Sequence, residues 1–124
     1  MTIEECYRKL GGEYVELKSS LISEQLIERF MLRFPNDVTF QALCEAIGKG
    51  NREEAFRAAH TLKGLCQNLG FGALSASVVK MTEILRPVVP QIPQEAIALL
   101  PEVRRDYENA VATILAYAEG QQNK

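Results

Sequence analysis

Between Arg52 and Leu69, the residues Ala55, Ala59, Leu62, Cys66 and Leu69 recur at alternating intervals of four and three. At about 100° per residue this series lies along one stripe of an α-helix, and no strand can present it on a single face. Such a stripe is the seam of a helical bundle. Phe56, Arg57, His60, Lys63, Gly64 and Gln67 fall on the opposite face. The only histidine of the chain therefore points away from the core.

The remaining segments read as helices too, and none shows the period-two alternation of a strand. Thr2 with Glu5 forms a capping box for a short first helix, ended by Gly11-Gly12. Ser23 caps a helix carrying Leu26, Ile27, Phe30, Met31 and Phe34 at helical spacing. Pro35 interrupts it, and Asn36 or Asp37 can cap a restart that runs to about Ile47. Gly48 to Asn51 is a turn, and the next helix stops at Gly70. Another covers about Ala73 to Leu85. Three prolines between Pro87 and Pro93 force a loop, and a last helix spans about Gln94 to Glu119. Pro101 within it predicts a kink or a broken start. The expected fold is all-α, an antiparallel up-down four-helix bundle with an additional short N-terminal helix across one end. Its rods are 23–47 with a break at Pro35, 52–69, 73–85 and 94–119. The 124 residues are expected to form a single domain, 1–124.

Several function classes are disfavoured. A net charge of −2 does not suit nucleic acid, whose phosphates want a basic excess. No run approaches the roughly 18 apolar residues of a membrane span, and no leader pattern opens the chain. Cys6, Cys44 and Cys66 are odd in number and form no C-x-x-C pair, so neither a disulfide framework nor a metal site is expected. Each sits in an apolar helical pattern and reads as packing rather than as a nucleophile paired with His60. A reducing cytoplasm fits this usage. Met1 and the lack of a linker favour a free-standing protein, expected to be a monomer. Gly11-Gly12 is isolated and Gly70-Phe71-Gly72 has no partner motif, so no ATP-binding loop is expected. His60 has no serine or cysteine four residues away, which disfavours a hydrolase. Glu53, two turns back on the His60 face, and Glu54 read as helix-surface charge.

The surroundings of His60 suit phosphoryl transfer. An exposed imidazole offers a nitrogen lone pair as a nucleophile. Lys63, one turn on, can reach a phosphoryl group on the ring and offset its charge. Gly64 costs about 1 kcal/mol in a helix interior relative to alanine, and its missing side chain lets a partner come close.

His60-Thr-Leu-Lys63-Gly64, followed by Asn68-Leu69-Gly70, resembles the signature of histidine phosphotransfer (HPt) domains. Ala55-Phe56 ahead of Ala58-Ala59-His60, and Glu83 with Leu85-Arg86, are similar to patterns of that family. The resemblance covers roughly residues 23–115. It implies a bundle that takes a phosphoryl group from a receiver-domain aspartate onto histidine and passes it to a response-regulator aspartate. It also implies no cofactor in this chain, with Mg²⁺ and the acidic pocket supplied by the receiver. His60 is then the phosphoacceptor, Lys63 the phosphoryl-stabilising residue and Gly64 the clearance residue, with Phe56, Arg57 and Gln67 on the binding face. Some members carry a glutamine on the next helix that bonds the histidine ring; the nearest positions here hold Thr82 and Glu83. The alternative is a non-catalytic adaptor that docks receiver domains without transfer.

Overall fold

A computed structural model describes residues 1–12, 14 and 23–122. Among them the chain forms helices only: α1 (Ile3–Lys9), α2 (Glu24–Arg33), a 3₁₀ turn (Phe34–Asn36), α3 (Thr39–Gly48), α4 (Arg52–Leu69), α5 (Gly72–Leu85) and α6 (Gln94–Gln122). Consecutive helices α3, α4, α5 and α6 pack against one another, and α2 lies against α4 and α6.

Local chemistry sets most of the boundaries. The hydroxyl of Thr2 accepts from the Glu5 N–H, and that of Ser23 from the Leu26 N–H, opening α1 and α2. The rod expected over 23–47 is two helices, because the interruption is wider than one residue. Pro35 sits in the 3₁₀ turn, and the Asp37 carboxylate then accepts from the Thr39 N–H at 2.8 Å to restart the chain as α3. Asn51 opens α4 by accepting from the Glu54 N–H. Gly70 closes it with φ +73°, where the Gly70 and Phe71 N–H groups donate to the Gln67 and Cys66 carbonyls. This Schellman pattern requires the left-handed conformation that glycine adopts without strain.

The last helix departs from expectation. It runs unbroken from Gln94 through Pro101, so the broken start does not occur. Proline leaves the Ile97 carbonyl without its usual donor, yet both residues are exposed and water can take that place. The helix begins directly after the Pro-rich loop, with the Pro93 carbonyl accepting from the Ala96 N–H.

The core is continuous. Met31, Leu43, Leu62, Phe71, Met81, Val103 and Ile114 are almost fully buried within it. The N-terminal helix packs against α6 and the turn between α4 and α5. Tyr7 is buried with its ring 6.2 Å from that of Phe71, and the Gln121 amide donates to the Met1 carbonyl. The two glycine pairs that looked unrelated in the sequence meet here. The Ala73 N–H donates to the Leu10 carbonyl at 3.1 Å. A Cβ on Gly12 would overlap the Gly70 carbonyl oxygen, and one on Gly72 would overlap that of Gly11. Close backbone approach therefore explains these glycines.

This clasp predicts opposite outcomes for two alanine substitutions. Gly72→Ala should lower stability by about 2 kcal/mol, the usual scale of overpacking. At Gly48 a new Cβ meets nothing within 4 Å, so Gly48→Ala should cause no loss. Urea-unfolding midpoints of the two variants and wild type check this.

A histidine face on the fourth helix

Helix α4 buries Ala55, Ala59, Leu62 and Cys66 completely, while Leu69 is half-buried at the margin of the core. Burying that stripe fixes the rotation of the helix, and the opposite face follows. His60 is exposed near the middle of α4, and Gln67 and Arg57 are exposed with it. Lys63 and Gly64 are half-covered. A Cβ built on Gly64 would meet nothing within 4 Å. The glycine is therefore not a packing notch; it leaves open space one turn beyond the imidazole.

The charges around the ring differ in their commitments. Arg57 is paired with Glu53 at 2.9 Å, both well exposed, so this pair is helix-surface charge worth little to stability. Arg86, at the end of α5, pairs with Glu83 at 2.9 Å. Lys63 forms no salt bridge among the described residues. The Glu83 carboxyl is held below its ordinary value chiefly by its hydrogen bonds from Arg86, with a smaller contribution from the nearby Lys63 charge. Lys63 is thus the cation beside His60 that remains available to an incoming anion.

Two features of the site follow from packing. Phe56, on the exposed face by its spacing, is half-buried, and its ring lies nearly parallel to the His60 imidazole with centroids 6.0 Å apart. The Arg86 guanidinium sits over the Phe56 ring at 5.2 Å. The i, i+4 spacing could have announced the first contact, but the second depends on how α5 lies against α4. Neither Thr82 nor Glu83 serves the imidazole. Thr82 is buried and its hydroxyl donates to the Val78 carbonyl at 2.8 Å, and Glu83 is occupied by Arg86.

On the other flank of α4, an apolar groove runs between α4 and α2, lined by Ile27, Phe30, Phe34, Leu65 and Leu69. Phe30 in its lining is 40% exposed. The loop 86–93 lies apart from this groove and carries the highly exposed Val88. Among the described residues no helix is long and apolar enough to cross a membrane.

An all-helical bundle that offers one exposed imidazole, a neighbouring unpaired ammonium and a bare patch of backbone has the makings of a histidine phosphocarrier. Comparison with known families agrees: the Hpt domain model matches residues 25–114, and the chain belongs to that family. Its members carry phosphoryl groups on histidine in phosphorelays and are phosphocarriers rather than true enzymes. The match spans α2 and most of α6 and leaves α1 outside. Neither the curated proteins nor the solved structures gave a significant match.

The cysteines play no part in this face. Burial pushes the Cys6 thiol up to about 11 and the Cys66 thiol up to about 12. Cys44 is raised as well, by burial, although the Arg104 guanidinium 3.4 Å away partly opposes this. The reactive thiolate is scarce for all three at pH 8. Treating the native protein with iodoacetamide at that pH should label Cys44 slowly and leave Cys6 and Cys66 untouched. All three should react after unfolding in guanidinium, with mass spectrometry as the readout.

Proposed function

We propose that His60 takes a phosphoryl group from a receiver-domain aspartyl phosphate and returns it to the aspartate of a response regulator. The observation that carries this reading is the pairing of the only histidine, exposed in mid-helix, with open space at Gly64. In the forward step an imidazole nitrogen forms a bond to phosphorus as the P–O bond to aspartate breaks. The carboxylate leaves with the electron pair, and the return step reverses these changes. Lys63 offsets the charge of the phosphoryl group held on the ring. The receiver supplies the acidic pocket and Mg²⁺, so this chain works without a cofactor or an ATP site of its own. The apolar groove between α2 and α4 fits an apolar surface of the receiver beside its aspartate. The reading places the protein in the cytoplasm, where receivers and response regulators operate.

Two substitutions test it. His60→Gln should abolish acid-labile phosphorylation from a phosphorylated receiver and change stability by under about 0.5 kcal/mol, as is usual for a surface position. A receiver that still binds the variant but transfers nothing fits the carrier. Wild type that binds a phosphorylated receiver without ever becoming labelled would instead be a docking adaptor.

At Gly64 stability and activity should move in opposite directions. Gly64→Ala should hold or raise stability, by up to about 1 kcal/mol, because alanine is the better helix former and its methyl group meets no neighbour. Transfer should slow in Ala and slow further in Gly64→Gln, by about tenfold, since in-line transfer depends on close positioning. Thermal melts paired with transfer time courses read both effects. Equal rates in all three proteins would remove Gly64 from the site.

A further inference from the structure

His60 stands exposed with no hydrogen-bonding side chain on its ring among the described residues, since Thr82 turns to the Val78 carbonyl instead. An exposed helical histidine has two common χ1 rotamers and a broad χ2, so its nitrogen lone pair faces an incoming phosphorus only part of the time. Phe56 supplies the contact that is otherwise missing. Its ring is inclined only 22° to the imidazole at 6.0 Å, in the offset range favoured by aromatic pairs. It is itself restrained, because the Arg86 guanidinium lies over it at 5.2 Å. Arg86 in turn is fixed by two hydrogen bonds to Glu83, from Nη2 at 2.9 Å and Nε at 3.2 Å.

We propose that Phe56 is a positioning residue, clamped by Arg86 and Glu83, that holds the His60 imidazole in one orientation for phosphoryl transfer. The proposal rests on the transfer reading above. It gives α5 a role at the site that runs through an aromatic ring and a cation. Restricting the ring to one of a few rotamers raises the competent fraction, and with it the rate, by about two- to fourfold.

The test uses the full chain, whose single histidine gives one unambiguous set of imidazole resonances. Three-bond couplings about the His60 Cα–Cβ bond report its rotamer populations by NMR. Phosphoramidate serves as the donor, so no receiver docking enters the rate. The imidazole nitrogen bonds to phosphorus as the P–N bond of the donor breaks and ammonia leaves with the electron pair. Phe56→Leu should average the couplings and slow phosphorylation about two- to fourfold, and Phe56→Tyr should restore both. Arg86→Gln should give a smaller change in the same direction, and Arg86→Lys should lie closer to wild type. Arg86 is exposed, so this second pair remains decisive should Phe56→Leu fail to fold. Couplings unchanged in Phe56→Leu and Arg86→Gln would overturn the proposal. So would a slower rate with unchanged couplings, or averaged couplings with an unchanged rate. A wild-type chain that takes no phosphate from the donor would sink the transfer reading itself, while the couplings still decide whether Phe56 holds the ring.

Discussion

Burial of one narrow stripe on α4 governs the rest of this molecule. Ala55, Ala59, Leu62 and Cys66 are all inaccessible to solvent, closed in by the neighbouring helices α3 and α5. Turning α4 by half a rotation would expose Leu62 and bury Arg57 and His60. The exposed leucine alone forfeits about 2 kcal/mol, and a buried guanidinium costs more. The helix consequently has one stable orientation, and His60 inherits its exposure from residues that never touch a partner.

The small side chains of the stripe have a second consequence. Alanine at positions 55 and 59 lets neighbouring helices come close, so α5 is near enough for its last turn to reach the His60 face. Arg52 strengthens that register by donating to the Leu85 carbonyl at 2.7 Å, satisfying a helix-end acceptor that has no donor in its own helix. From there Arg86 reaches Phe56. Packing and chemistry thus share a helix pair: one side sets the spacing, and the other uses it.

The charges divide along similar lines. Arg57 and Arg86 are held by carboxylates on their own helices, whereas Lys63 has none within ion-pair distance among the described residues. On the proposed reading Lys63 meets the phosphoryl group, and an ammonium outside any ion pair suits that role better than a guanidinium held in a bidentate pair.

The exposed imidazole, the seam opposite it, and the ends of α4 at Asn51 and Gly70 were legible in the sequence, because helix periodicity and capping are local effects carried by the residues themselves. Other features depended on distant parts of the chain meeting. The break around Pro35 widened into a 3₁₀ turn, and Pro101 left the last helix in one piece because its freed carbonyl site faces water. Gly11-Gly12 and Gly70-Phe71-Gly72 look unrelated along the sequence, and only the packing of α1 against the α4–α5 turn makes each the reason for the other. Phe56 belongs to the outer face by spacing, yet α5 half-covers it and brings Arg86 over its ring. The sequence by itself determined which way the histidine points, since that requires only one helix and its apolar stripe. The tertiary structure decided what stands around the ring, because those neighbours come from a different helix and no local rule brings them there.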